Sequence, residues 1–240
     1  MLPTKLETIL TIAAQNKSTV CVFDLDSTLF NVSLRTKKIL NEFAEIHKPE
    51  LKDVDILHTD WGLREPLNRA GYHYEQDTFL HQQLRDFWVD RFFSNDYLHF
   101  DAPYPGAVAF VQKLFQTECQ IHYLTGRDVH RMGQGTLDVL NKWGFPTTAQ
   151  NLHLKPNRSL DDHTFKVNWV SENCPYHKDN PIFFFENEPV NINALGKIRP
   201  DIHIVYLDTT HSRREEVHVP VLTIPDFLIE PDQSEPQKTS

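Results

Sequence analysis

Two aspartates, Asp24 and Asp26, stand directly after the apolar run Val20–Phe23, with only Leu25 between them. Side chains alternate along an extended chain, so both carboxylates point to one side. Two like charges at the end of a buried strand need compensation, by a cation, a shared proton or solvent. Further polar groups follow later apolar runs. Thr125, Gly126, Arg127 and Asp128 come after IHYL, Lys155 after NLHL, and Glu186, Asn187 and Glu188 after PIFFF, while Lys166 lies near a helix start. Two carboxylates, a hydroxyl, a lysine and a second acidic cluster can thus share one rim. Oxygen donors of this kind suit Mg²⁺ rather than a thiol-loving metal.

Only a particular scaffold brings these segments together. Residues 18–24, 121–125, 151–154, 182–185 and 202–207 read as short buried strands. Amphipathic helical patterns cover 2–16, 105–116, 132–144, 161–173 and 189–198. Buried strands alternating with helices predict a three-layer α/β core, a doubly wound parallel sheet of Rossmann-like type. Ligands of such sheets bind beyond the carboxyl ends of the strands, which is where the polar residues fall. Residues 31–102 interrupt the alternation and carry helical patterns at 32–48 and 77–93. A crossover needs one helix, so this stretch is expected to be an inserted α-helical cap, leaving 1–30 and 103–229 as the core domain. Residues 230–240 lack an apolar pattern and are expected to be disordered.

The pattern Asp-x-Asp-x-Thr at Asp24, Asp26 and Thr28 resembles motif one of the haloacid-dehalogenase-like superfamily. YLTGRD (123–128) resembles motif two, Lys166 resembles the motif-three lysine, and FFFENEPVN (183–191) occupies the motif-four position. The insert falls where many members carry a helical cap. The resemblance implies a phosphatase that forms an aspartyl-phosphate. Asp24 would attack phosphorus. Asp26 would protonate the leaving oxygen and then deprotonate water, which requires it to start protonated. Thr125 and Lys166 would hold phosphoryl oxygens, with Gly126 and Arg127 as further substrate-binding positions. Mg²⁺ would be held by Asp24, the backbone carbonyl of Asp26, Glu186 and Asn187.

Motif four commonly supplies an aspartate to the metal, and here the sequence is Glu186-Asn187-Glu188. Which of the three reaches the ion is left open, with Glu186 and Asn187 favoured. Lys155 is the competitor of Lys166, which fits the family pattern better because it enters the helix before the fourth strand. Arg127 is as well suited to a structural ion pair as to substrate.

The 240-residue chain carries a net charge of −9, which argues against non-specific nucleic-acid or anionic-membrane binding. Three cysteines, at 21, 119 and 174, suggest a reducing compartment, and no stretch is long and apolar enough for a bilayer span. The expectation is a cytoplasmic enzyme acting on a small phosphorylated molecule, with no nucleic-acid or membrane partner and an oligomeric state that sequence leaves open. Leu80, Leu84, Phe87, Trp88 and Phe92 share one helical stripe and read as core packing rather than as a wall for a ligand. A phosphomutase or phosphotransferase on the same scaffold is the alternative, as is a non-catalytic phosphate-ligand-binding module with a degraded motif four.

Overall fold

Alternation with period two in the apolar runs sorts the strand residues onto two faces of one sheet. The computed structural model describes residues 4–229. In chain order its elements are α1 (Lys5–Gln15), β1 (Val20–Phe23), β2 (Phe30–Asn31), α2 (Ser33–His47), α3 (Arg64–Arg69), α4 (Thr78–Phe92), β3 (Ala102–Pro103), α5 (Ala107–Gln116), β4 (Gln120–Asp128), α6 (Val129–Trp143), β5 (Leu152–Lys155), α7 (Asp162–Asn173), β6 (Ile182–Glu186), α8 (Pro189–Ile198), β7 (His203–Leu207) and β8 (Leu222–Ile224). Six strands form a sheet in the order β5-β4-β1-β6-β7-β8, and every neighbouring pair is parallel.

Cys21, Phe23, Tyr123, Phe183 and Phe185 pack against α1, α5 and α6, through Ile9, Phe110 and Val139 among others. Val20, Val22, Leu124, Ile182 and Phe184 face the opposite way, onto Val167 and Val170 of α7 and Ile192 and Leu195 of α8. Both faces are therefore covered, giving the three-layer α/β architecture expected for a parallel sheet. The chain winds outward from β1 in both directions, so the crevice beside β1 is the topological switch point.

The helical patterns of the sequence correspond to α1, α5, α6, α7 and α8, with ends displaced by a few residues. Leu2 of the first pattern and the tail at 230–240 lie outside the described residues. Strand β4 runs three residues beyond the expected 125, because its ladder with β5 resumes at Asp128–Lys155 after an irregularity. The short β2, β3 and β8 escaped the pattern analysis, since two or three residues carry too little alternation.

Between β2 and β3 the chain forms α2, α3 and α4, whose Leu40, Phe43, Leu67, Leu80 and Leu84 make a separate apolar cluster with Leu51 from the turn after α2. An antiparallel ribbon of β2 and β3 joins the two passages of chain into and out of these helices. No helix among the described residues is long and apolar enough to cross a membrane.

Candidate active site

Asp24 leaves the end of β1 with its amide still bonded to the carbonyl of Phe185 on β6 (3.0 Å). The chain then turns back at once. Ser27 takes the left-handed conformation (φ 62°), and Thr28 and Phe30 both donate to the carbonyl of Leu25. This turn delivers Asp24, Asp26 and Ser27 to one wall of a cavity of about 340 Å³. Thr125, Gly126 and Arg127 from β4, Lys166 from α7, and Glu186, Asn187 and Glu188 at the end of β6 line the same cavity.

Lys166 is the centre of the arrangement. Its ammonium donates to Asp24 Oδ1 and to Glu186 Oε2, each at 2.6 Å. All three side chains are buried. Burial raises the Asp24 carboxyl to about 7 against the opposing Lys166 ammonium, and Glu186 adds to the rise. Burial disfavours the charge on Lys166, but Asp24 and Glu186 outweigh that cost and hold the ammonium protonated. Asp24 Oδ2 accepts no hydrogen bond among the described residues, so it is free toward the cavity. Lys155 lies elsewhere, bonded to Asp162 Oδ1 (2.5 Å) and to the carbonyl of Leu160 (3.0 Å).

Glu186, expected to contact a metal, is fully engaged by protein. Oε1 accepts from the amides of Asn187 and Glu188 (both 3.0 Å), and Oε2 from Lys166 and Asn191 (3.2 Å). A carboxylate has about four acceptor sites, and all are filled. In this structure Glu186 is bonded to Lys166 and to three further protein donors. Asn187 is similarly occupied, accepting from Thr28 Oγ1 (3.1 Å) and donating to the carbonyl of Thr210 (2.6 Å). Glu188 caps α8 and accepts from the amide and hydroxyl of Ser212. No cluster of three or more His, Cys, Asp or Glu side chains converges as a metal cage among the described residues. The donors still free are Asp24 Oδ2 and the Asp26 carbonyl, both hard oxygens. Mg²⁺ is commonly held by one or two carboxylates with water and substrate oxygens completing its shell, so this donor set fits the ion.

Asp26 sits in a clamp that the sequence did not disclose. Arg127 reaches it through Nη2 (2.5 Å) and Nε (3.3 Å), and Arg35 through Nη2 (2.8 Å). Both guanidiniums also pair with buried Asp101, at 2.7 and 2.9 Å. Burial would raise the Asp26 carboxyl, yet Arg127 and Arg35 outweigh it and hold it well below the usual carboxylate range. The sequence-based role needed Asp26 to start protonated; two guanidiniums keep it ionised here. Arg127, offered as a substrate-binding residue, has its donors on Asp26, Asp101 and Thr136.

Thr125 is buried at the cavity wall, its hydroxyl accepting from the Arg127 amide (3.3 Å). Gly126 is crowded by a movable group, because a side chain there would meet the Asp162 carboxylate. Arg35 and Asp101 were missed by the sequence reading. One signal existed for Arg35: it precedes Ile39 and Phe43 at four-residue spacing, which puts a charge on the buried stripe of α2. Asp101 has no such mark. The expected packing stripe of α4 divides in two. Leu80 and Leu84 enter the apolar cluster of the insert, while Trp88 and Phe92 face the cavity together with Trp61 and Phe93.

No family model matches the sequence, and no curated protein matches it. Solved structures do resemble the fold. A candidate phosphatase from Clostridium difficile is 13% identical, with 82% of this chain and 88% of that one covered at a TM-score of 0.52. CbbY from Rhodobacter sphaeroides, in complex with phosphate, is 13% identical, with 87% and 94% covered at a TM-score of 0.50. A haloacid dehalogenase-like hydrolase from Bacteroides fragilis is 11% identical, with 85% and 96% covered at a TM-score of 0.49. With these segments gathered at the rim of a β5-β4-β1-β6-β7-β8 sheet, the chain shares the fold of the Clostridium and Rhodobacter structures.

Proposed function

We propose that the protein is a Mg²⁺-dependent phosphatase acting on a small phosphomonoester through an aspartyl-phosphate. The observation that carries this reading is the buried Asp24–Lys166–Glu186 array, with Asp24 Oδ2 open to an enclosed cavity. Lys166 orients Asp24 and supplies a fixed positive charge beside the position of a transferring phosphoryl group. Thr125 stands at the same wall and offers a hydroxyl to a phosphoryl oxygen. Asp24 attacks phosphorus in line, and water then releases phosphate from the acyl-phosphate. Asp26, ionised in its clamp, takes the proton from that water and passes it to solvent, while the leaving oxygen of the first step takes its proton from solvent. The two guanidiniums oppose its protonated form, so one contact loosens during turnover. Asp24 Oδ2 and the Asp26 carbonyl would hold Mg²⁺, which when bound offsets the charges of nucleophile and phosphate.

Helices α2, α3 and α4 serve as the cap, excluding water and large partners from the cavity. Its boundaries are taken as 31–102, with 1–30 and 103–229 forming the core. The phosphate held by the Rhodobacter structure of similar fold is consistent with a small phosphorylated ligand.

Hydrolysis of p-nitrophenyl phosphate with Mg²⁺ and with EDTA tests the proposal. Turnover that needs Mg²⁺ and disappears in Asp24→Asn supports it. A folded protein inactive under both conditions would favour a phosphate-binding module, the reading suggested by the fully engaged Glu186 and the clamped Asp26.

A further inference from the structure

The lining of the cavity is of two kinds: polar, with Asp24, Thr125 and Lys166 among others, and aromatic, with Trp61, Trp88, Phe92 and Phe93. Three of these rings are fixed against one another. Trp88 stacks on Phe92 at 4.2 Å, and Phe93 meets Phe92 edge-on at 5.1 Å. The Arg35 guanidinium covers the Phe92 ring at 3.8 Å, and the Trp88 indole N–H points to Thr36 Oγ1 at 3.4 Å. Trp61 differs: it is 46% exposed and makes no aromatic pair among the described residues. A large ring left open at the wall of a cavity is an unused apolar surface.

This wall has little to offer a sugar or a phospho-acid. Phenylalanine has no donor, the Trp88 donor is directed at Thr36, and Trp61 brings a single indole N–H. Hydroxyls seated there would lose water and regain at most that one partner from the rings, a costly exchange. A flat ring meets the opposite condition, because it gains stacked contact and gives up little hydration. The exposed Arg214 guanidinium at the same cavity adds a cation suited to a π face. A volume near 340 Å³ lies at the small end of the roughly 300–1,000 Å³ typical of ligand pockets, room for a phosphoryl group and one ring system.

We propose that the substrate is a phosphomonoester whose leaving group carries a flat aromatic ring system seated against Trp61, Trp88 and Phe93. This rests on the phosphatase reading for the polar lining of the site, and the aromatic wall is argued separately. The chemistry is shared by phenol-type phosphates and by nucleoside monophosphates.

Binding separates the wall from the reaction. Calorimetric titration in Mg²⁺ compares benzylphosphonate with cyclohexylmethylphosphonate, which matches it in size and charge but lacks the π system. The aromatic ligand is expected to bind about three- to tenfold more tightly, with Trp61→Ala removing most of that preference. The half-exposed position of Trp61 spares the fold, and Phe93→Leu serves as a second variant. Equal binding of the two ligands, or a preference untouched by both substitutions, overturns the proposal. Turnover of phenyl phosphate against uridine 5′-monophosphate then distinguishes the two sources of ring. Aromatic preference in binding without turnover of any phosphomonoester would sink the phosphatase reading and leave the wall assignment standing. Turnover of aliphatic and aromatic esters at equal efficiency, with equal binding, would do the reverse.

Discussion

Arg35, from the first helix of the insert, donates to Asp26 at 2.8 Å and pairs with Asp101 at 2.9 Å. One guanidinium thereby ties the turn after β1 to the chain just before β3, at the point where the insert rejoins the sheet. A third bond, to the carbonyl of Phe92 at 2.9 Å, anchors the end of α4 to the same group. Helix α2 and the candidate nucleophile turn are therefore joined by this buried side chain, alongside the Arg127 link between Asp26 and Asp101.

Removing that charge should be expensive. In Arg35→Met, Asp101 stays buried with only Arg127 as a charged partner, and the expected loss is about 3 kcal/mol, the low end for a broken buried pair. Urea unfolding of wild type and variant checks this. Arg35→Lys should recover little, because one ammonium cannot serve Asp26, Asp101 and the Phe92 carbonyl with the geometry of a planar fork. A lysine variant as stable as wild type would show that charge alone, and not the fork, holds the junction.

Glu186 and Lys166 give a prediction about division of labour. If Glu186 only positions Lys166, Glu186→Gln lowers kcat while leaving the Mg²⁺ concentration for half-maximal activity nearly unchanged. Lys166→Met removes the ammonium itself and should cost about 10²–10³ in kcat, the scale of losing one preorganised stabilising donor. A large rise in the Mg²⁺ requirement of Glu186→Gln would instead make the glutamate a metal ligand. Titrating activity against Mg²⁺ in both variants decides the point.

Much of this arrangement was legible in the chain, for identifiable reasons. Strand β1 and its two aspartates announced themselves because four consecutive buried residues end abruptly in charge. Lys166 was favoured over Lys155 by its place in the helix preceding β6 without the choice being settled, and in the structure it is bonded to Asp24. What stayed hidden depends on long-range pairing. Nothing local tells that Arg127 and Arg35, distant in sequence, close on one carboxylate. The same holds for Glu186, whose four acceptor positions are filled by groups that meet only after β6, α7 and α8 pack together. The aromatic run of α4 looked uniform in period, but the helix extends past the apolar cluster of the insert, so its last turn meets the cavity instead.

Gly106 is predicted to be the least replaceable glycine in the core. Its φ of 77° lies in the left-handed region, and a Cβ would collide with the backbone carbonyl of Phe227, which cannot swing aside. Gly126 is also crowded, but by the half-exposed end of Asp162, a movable side chain. Gly106→Ala should therefore lose at least about 1–3 kcal/mol through strain, and Gly126→Ala much less. Chemical denaturation of the two variants side by side tests the order, and equal losses would contradict it.

The buried carboxyls also set how stability depends on pH without metal. Burial raises Asp24 to about 7 and Asp101 to about 6. In the unfolded chain both would titrate near the ordinary aspartate value of about 4. Between that value and about 7, the folded protein holds protons that the unfolded chain has released, so stability falls as pH rises through the window. Asp26 has the opposite sign: its clamp stabilises the ionised form, a contribution present above about 4 and lost only in stronger acid. In EDTA, Asp24 and Asp101 should thus pull the thermal midpoint down from pH 5 to pH 7.5, against the half-buried His122 and His153, whose lowered values pull it up, and wild type should lose more across this interval than Asp24→Asn. Mg²⁺ at Asp24 requires the ionised carboxylate, so the stabilisation it confers should grow across the same interval. Thermal melts of wild type and Asp24→Asn, each with EDTA and with Mg²⁺, measure all four dependences. Profiles in EDTA that are the same for wild type and Asp24→Asn would mean that Asp24 titrates as an ordinary carboxyl and that the Lys166 ammonium, not burial, dominates its environment.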